Sequence, residues 1–177
     1  MSKLLTLTVI LLLFNCKAPE ARRPVSVKTG SFIDVSVERN KKLNAKEYTT
    51  IENLLKKEAK NYIVSESGFW YYYNTKIDTD TLETPDFGDI INYNYNIKTL
   101  NGHLIYSKED IKTQTYTMDK EELFTGLREG LKLMKTGETI TFLFPSQKAF
   151  GYYGDENKIG SNTPLICEVT INSIIQN

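Results

Sequence analysis

Two thirds of the way along the chain, the spacing of hydrophobic residues changes from helical to strand-like. Asp119, followed three residues later by Glu122, is typical of a capping box and predicts a helix that begins near Lys120. Hydrophobic residues then recur at helical spacing and form one stripe, at Leu123, Leu127, Leu131 and Met134. Gly137 is expected to end this helix, and residues 138–144 alternate as a strand does.

Two glycines, Gly126 and Gly130, lie inside this predicted helix. A glycine in a helix interior costs about 1 kcal/mol relative to alanine, so a pair of them needs a packing reason. We therefore expect the helix backbone to lie close to another element. A short helix lying across a sheet is the simplest interpretation.

The strand pattern begins upstream of the helix. Residues 90–97 alternate between polar and apolar, which predicts a strand with Tyr95 on its inward face. Asn101-Gly102 is a strong hairpin signal and predicts that the chain returns immediately as a second strand. Residues 113–118 are expected to form another strand.

Further strands are expected at both ends of this region. Strand-forming residues dominate 61–64 and 68–73, and 164–174 is expected to be the last strand. Residues 45–60 have an amphipathic pattern that predicts a helix, and 17–29 is a polar tether. This helix either packs on its own domain or forms a dimer interface; we expect a monomer rather than a homodimer.

The first 16 residues have the features of a targeting segment. Lys3 precedes an apolar run that is too short to span a bilayer as a helix and that ends at Cys16. The residues just before Cys16 resemble a lipobox, although Phe14 and Asn15 replace its usual small residues. We therefore expect a lipoprotein signal peptide over 1–16 with Cys16 acylated, and an uncleaved signal anchor and simple secretion are the alternatives. The predicted location is the bacterial cell envelope, lipid-anchored to a membrane and facing the periplasm.

Charge and composition exclude several kinds of chemistry. Removing residues 1–15 takes away one lysine, so 22 basic and 22 acidic residues become 21 and 22, and no basic stripe indicates nucleic acid. The chain has a single histidine, His103, expected at the surface beside the hairpin turn, and Cys167 in a strand-like setting is expected to be a buried free thiol. No phosphate-binding or dinucleotide motif occurs, so we expect no cofactor and no metal.

A longer pattern resembles a known family. The stretch FTGLREGLKLMKTGETITFLFPSQKAFGYYG (124–154) resembles the core of the FKBP-type peptidyl-prolyl isomerases, and the similarity extends upstream through GDIINYNYNIKTLNGHLIYS and downstream through KIGSNTPLICEVTI. The resemblance implies an α+β fold, with a twisted antiparallel sheet of five to six strands wrapped around one short helix and an N-terminal helical extension. It implies an isomerase domain over 62–177, preceded by a tether and short helical spacer over 17–61.

The resemblance also implies an apolar cup for a substrate proline. Its lining would consist of Tyr95, Ile105, Tyr106, Leu123, Phe124, Leu127, Phe150, Ile159 and Cys167. Five of these positions depart from the family pattern. Ile105 and Tyr106 replace Phe and Asp, Leu127 replaces Trp, Phe150 replaces a loop Tyr, and Cys167 replaces a final Phe.

Two functions are compatible with these residues. The first is a prolyl isomerase that assists folding of exported or envelope proteins and binds their proline-containing segments. The second is a non-catalytic peptide-binding or assembly lipoprotein that keeps the fold. The whole chain also resembles FKBP-like lipoproteins associated with gliding motility, and that resemblance alone implies a role in motility.

Overall fold

The computed structural model describes residues 30–79 and 81–177 of the protein. It divides into two compact units, 1–38 and 39–177, and the second contains the sheet. Of the first unit, only the helical residues 30–38 are described. The predicted signal peptide, Cys16 and the predicted tether over 17–29 lie outside the described residues.

One antiparallel sheet forms the second unit. The strands are β1 (Ile63–Val64), β2 (Trp70–Thr75), β3 (Ile90–Thr99), β4 (Leu104–Tyr106), β5 (Gln114–Thr117), β6 (Thr139–Phe144) and β7 (Leu165–Ile175). Their order in the sheet is β1-β2-β6-β7-β3-β4, and β5 pairs with the same edge of β3 as β4 does. The antiparallel α+β fold is confirmed. Over residues 30–79 and 81–177 the sheet has seven strands rather than five to six. The two-residue strand β1 extends one edge, and both β4 and β5 pair with β3 at the other.

The hairpin predicted at Asn101-Gly102 joins β3 to β4. Gly102 has φ = 79°, a conformation that glycine adopts without steric cost, and its N–H donates to the carbonyl of Thr99. His103 follows this turn and is exposed, as predicted. A short helix, α2 (Lys108–Ile111), then leads into β5, and Ser107 and Asp110 form its capping box.

The central helix, α3 (Thr125–Leu131), packs across one face of the sheet. The close approach predicted from its glycines is confirmed: a Cβ on Gly126 would lie 2.5 Å from the Phe144 ring, and one on Gly130 would lie 2.9 Å from the Phe142 ring. Glycine therefore lets the helix backbone rest on the aromatic rings of β6. The sequence predicted that the helix backbone contacts another element, and the structure identifies that element as β6.

The predicted bounds of α3 are wrong at both ends. Asp119 does not cap the helix, because it lies in a turn with φ = 58° and its carboxylate pairs with Lys132 at 3.0 Å instead. The chain stays irregular until Phe124, so the helix begins at Thr125 rather than near Lys120. It also ends at Leu131, earlier than the stop expected at Gly137.

The N-terminal helix, α1 (Gly30–Lys57), is 28 residues long, whereas the sequence predicted helix over 45–60 only. Its C-terminal half packs on the opposite face of the sheet from α3. Ile51 of α1 lies in a buried cluster with Trp70 and Leu143. Side chains alternate between the two faces along β6, so Leu143 points to the face opposite Phe142 and Phe144, the two residues that contact α3. No helix among the described residues is both long and apolar enough to cross a membrane.

Candidate functional site

An open cavity of about 600 Å³ lies where α3 begins. Its lining comes from β3, the segment before α3, α3 itself and the loop after β6. The lining residues are Tyr95, Glu121, Glu122, Leu123, Phe124, Arg128 and Phe150. The volume is within the range of sites that hold small ligands or one or two amino-acid side chains.

Aromatic rings form the walls of this cavity. Phe124 has extended backbone angles and is the last residue before α3, which turns its ring towards Phe150, with 5.1 Å between ring centroids. The Phe124 ring also packs edge-on against Phe144 at 5.5 Å. Phe124 is therefore fixed by the core on one side and half-exposed to the cavity on the other.

Tyr95 forms the opposite wall from strand β3. Its ring stacks on Tyr93 with 5.5 Å between centroids, and both side chains lie on the face of β3 that packs on the core. Burial raises the pKa of Tyr95 to about 12, so its hydroxyl is neutral at physiological pH. A neutral hydroxyl can donate one hydrogen bond to a carbonyl in the cavity.

Three predicted site residues lie beneath the cavity rather than on its surface. Leu127, Ile159 and Cys167 are buried in the main core, against which Tyr95, Phe124 and Phe150 pack. Cys167 is a buried free thiol, as predicted, and burial raises its pKa above the ordinary value. These residues support the walls, and the thiolate needed for nucleophilic chemistry is disfavoured.

The remaining two predicted residues, Ile105 and Tyr106, lie on β4. Both are half-buried and pack against the same core, yet neither lines the cavity. The Tyr106 hydroxyl donates a hydrogen bond to Asp155 Oδ2 at 2.5 Å, and the Lys158 amine lies 4.7 Å from the centre of its ring. Tyr106 therefore contacts the loop over 151–160 rather than the cavity.

Sequence reasoning missed the charged rim of the cavity. Glu121 and Glu122 lie on the irregular segment before α3, and Arg128 lies one turn into the helix. Arg128 is held by Asp119 and Glu129, with Nε–oxygen distances of 3.7 and 3.4 Å. The sequence assigned Glu122 to a capping box at the start of the helix, so the true start of α3 had to be known to place Glu122 and Arg128 at the rim.

The cavity lining contains no cysteine, serine, lysine or histidine among the described residues. Nowhere in 30–79 or 81–177 do three His, Cys, Asp or Glu side chains lie close enough together to hold a metal ion. The arrangement can instead bind an apolar side chain between aromatic rings and contact its backbone from a polar rim.

Comparisons with known proteins identify the same class. The profile of the family "FKBP-type peptidyl-prolyl cis-trans isomerase" matches residues 82–172, just over half of the 177-residue chain. This protein therefore belongs to the FKBP-type peptidyl-prolyl cis-trans isomerase family.

Individual relatives support this assignment. The chain is 34% identical over 90 residues to "Peptidyl-prolyl cis-trans isomerase FKBP10" of Mus musculus, a match that covers 50% of this chain and 15% of that protein. It is 28% identical over 87 residues to "Probable FKBP-type peptidyl-prolyl cis-trans isomerase FkpA" of Neisseria meningitidis serogroup B, covering 49% of this chain and 32% of the relative. The chain thus spans a third or less of these relatives.

A solved structure shares the fold. The crystal structure of a peptidyl-prolyl cis-trans isomerase from Pseudomonas syringae pv. tomato superposes with a TM-score of 0.61 at 20% identity. The match covers 77% of this chain and 96% of that structure. At this identity the likeness establishes the fold.

Proposed function

We propose that this protein is a peptidyl-prolyl cis-trans isomerase whose substrate proline binds in the cavity between Tyr95, Phe124 and Phe150. The observation that carries the proposal is this aromatic-walled, open cavity at the start of α3, in a chain of the FKBP-type family. Leu123 completes the apolar lining, and Leu127, Ile159 and Cys167 keep it rigid from below.

The chemistry requires neither a nucleophile nor a metal. Amide resonance sets the barrier for rotating an X-Pro bond at roughly 18–20 kcal/mol, and the uncatalysed exchange takes tens of seconds or longer. The planar amide is the charge-separated form and is better hydrated than the twisted one. An apolar cavity removes the water that favours the planar ground state, and each tenfold rate gain needs only about 1.4 kcal/mol of such discrimination.

A protease-coupled assay of a proline tetrapeptide tests the proposal on the full-length protein in mild detergent. We expect exchange faster than in detergent buffer alone, and Phe124→Ala is expected to lower kcat/KM at least tenfold while the circular dichroism spectrum is unchanged. Phe87→Ala is the matched control, because Phe87 is 69% exposed and lies outside the cavity lining. Equal rates for wild type and Phe124→Ala would place the reaction elsewhere.

A second candidate function is peptide binding without efficient turnover. Two observations favour it: Phe150 brings no hydroxyl to the cavity, and the Tyr106 hydroxyl is already donated to Asp155. Rates equal to buffer at micromolar protein, together with saturable binding of a labelled proline peptide, would support this function over catalysis.

The cellular role is part of the same proposal. A lipid on Cys16 would hold the monomeric protein on a membrane of the bacterial cell envelope, facing the periplasm, where it would act on proline-containing segments of exported proteins. The apolar run before Cys16 supports this location, and the resemblance to gliding-motility lipoproteins supports a role in motility. Cys16→Ser is expected to abolish palmitate labelling and to release the protein from the membrane fraction. Full retention would contradict the anchor.

A further inference from the structure

A second cavity lies beside the proposed proline site. It has a volume of about 430 Å³ and lies between the middle of α1 and the segment that follows β6. Arg39, Asn40 and Asn44 contribute from α1, and Gln147, Tyr152 and Asn162 from the other side. We call this cavity the α1 groove. None of its lining residues belongs to the cavity between Tyr95, Phe124 and Phe150, which we call the proline cavity after its proposed ligand.

Hydrogen bonds fix the two walls of the α1 groove against each other. The Glu47 carboxylate accepts hydrogen bonds from both the backbone N–H and the hydroxyl of Ser146, the first residue of the 3-10 turn after β6. One residue further along each wall, the Gln147 side-chain amide donates a hydrogen bond to the Tyr48 hydroxyl at 3.1 Å. The Tyr48 ring in turn packs edge-on against Trp70, with 5.4 Å between ring centroids. The walls are therefore held by the core, so the groove is built into the fold.

The chemistry of the α1 groove suits a polypeptide backbone. Four of its lining side chains are carboxamides, and a carboxamide carries both donors and acceptors, as a peptide unit does. Two of the four already share one hydrogen bond, from Asn44 Nδ2 to Gln147 Oε1 at 3.4 Å, and each keeps further N–H and lone-pair capacity. Leu43 and Tyr152 add apolar surface for side chains, and the Tyr152 ring is 61% exposed. Among the described residues of the lining, Arg39 alone is charged, and its guanidinium favours an acidic side chain in the bound segment.

The loop after β6 joins the two cavities. Phe150 lines the proline cavity, and the next two residues, Gly151 and Tyr152, line the α1 groove. Consecutive Cα atoms are 3.8 Å apart, so a path from Phe150 to Tyr152 covers at most about 7.6 Å. An extended substrate advances about 3.3–3.6 Å per residue, so two or three of its residues span this length of loop.

We propose that the α1 groove is an extended substrate subsite, which binds the backbone of an unfolded segment a few residues from the proline held between Phe124 and Phe150. This inference rests on the isomerase function proposed above and specifies its substrate: an extended chain with an acidic residue near the proline, rather than an isolated X-Pro unit. Contacts made equally in the ground and transition states lower KM and leave kcat unchanged.

The test compares three substrates on the full-length protein: a proline tetrapeptide, and the same peptide lengthened by four residues, including one Glu, on either its N-terminal or its C-terminal side. We expect a longer peptide to have an approximately tenfold lower KM at unchanged kcat in at least one direction, which corresponds to two additional hydrogen bonds. The double variant Arg39→Ala/Asn40→Ala is expected to lose this gain while it turns over the tetrapeptide like wild type. Lys46→Ala on the same helix removes the same charge outside the groove and is expected to keep the gain.

A binding measurement separates this inference from the isomerase proposal. The anisotropy of a fluorescent, proline-free peptide with the same flanking sequence reports the groove alone, and we expect its affinity to fall about tenfold in the double variant. If the tetrapeptide is not turned over but this binding depends on Arg39 and Asn40, the isomerase proposal fails and the subsite stands. If neither lengthened peptide lowers KM and the double variant binds the fluorescent peptide like wild type, the subsite is overturned.

Discussion

The Tyr106 hydroxyl donates a hydrogen bond to the carboxylate of Asp155, which lies 49 residues later in the chain. The same carboxylate accepts the backbone N–H groups of Asn157 and Ile159, at 3.0 and 2.7 Å. One side chain therefore both folds the loop over 151–160 and ties it to β4. This loop places Ile159 beneath the proline cavity, so the cavity depends on a contact that lies outside it.

Tyr106→Phe removes only the hydroxyl from this contact. We expect hydrogen exchange at the Asn157 and Ile159 amides to accelerate roughly two- to tenfold, because the loop loses one hydrogen bond to β4. Hydrogen–deuterium exchange followed by NMR measures this effect. Tyr153→Phe is the control, since the Tyr153 ring is 82% exposed. Unchanged exchange at both amides in Tyr106→Phe would show that the loop holds its conformation without β4.

The pH profile of isomerisation is expected to be flat over about pH 6–9. The pKa of Tyr95 is raised to about 12 by burial, and so its hydroxyl stays protonated throughout this range. Burial tends to raise the pKa of Asp155, but the hydrogen bonds from Tyr106, Ile159 and Asn157 outweigh it and lower the pKa. A carboxylate with a lowered folded-state pKa contributes stability above its unfolded pKa of about 3.9 and loses it as pH falls further.

We therefore expect kcat/KM to fall only below about pH 4, where the Asp155 carboxylate begins to be protonated in the unfolded and then in the folded chain. Initial rates across pH 3–9, measured with a fluorescent substrate in an assay that uses no coupling protease, check this profile. A bell-shaped profile centred near neutral pH would indicate a titrating catalytic group that the cavity does not contain.

Phe150→Tyr is expected to increase activity. The Phe150 ring is half-exposed at the cavity and lies 5.1 Å from Phe124, so a hydroxyl at its outer edge would add a hydrogen-bond donor to a lining that lacks one at this position. A gain of about 0.5–1.5 kcal/mol in the transition state corresponds to a roughly two- to tenfold higher kcat. Tyr152→Phe, two residues further along, is expected to leave kcat on the tetrapeptide unchanged. A lower kcat in Phe150→Tyr would show that packing against Phe124 matters more than the donor.

Gly126→Ala is expected to destabilise the fold. The new methyl group would lie 2.5 Å from the Phe144 ring and 2.7 Å from the Lys148 carbonyl oxygen, so α3 would have to move away from β6. Such overpacking typically costs about 1–3 kcal/mol, which exceeds the gain in helix propensity. Urea denaturation measures the change in the free energy of unfolding. Gly160→Ala is the matched control, because only Thr163 Oγ1, at 3.8 Å, lies near its added Cβ. Equal stability of the two variants would contradict the close approach of α3 to β6.

Much of this protein is readable from short-range patterns. The alternation of β3, the Asn101-Gly102 turn and the helical spacing of Leu127 and Leu131 depend on neighbours within a few residues, and the structure contains each of them. Leu123 and Met134, predicted for the same helical stripe, lie outside α3. Gly126 and Gly130 also predicted a tertiary contact, because the free-energy cost of glycine inside a helix indicated a close approach to another element. The same patterns carry the resemblance to the FKBP-type family, and the family profile confirms it.

Element ends and site edges depend on tertiary contacts instead. Asp119 has the sequence signature of a cap, yet its ion pair with Lys132 and its left-handed backbone place the start of α3 at Thr125. Tyr106 was assigned to the cup from its place in the family pattern, and its hydroxyl contacts Asp155 instead.

The sequence alone thus determined the fold family, the strand alternation and the aromatic and apolar residue types in the cavity at the start of α3, because these follow from local periodicity and residue type. Only the tertiary structure decided which side chains line the cavity, which lie beneath it, and that α1 forms a second groove beside it. Those properties depend on contacts between residues far apart in the chain, such as Glu47 with Ser146 and Tyr106 with Asp155, which no local pattern encodes.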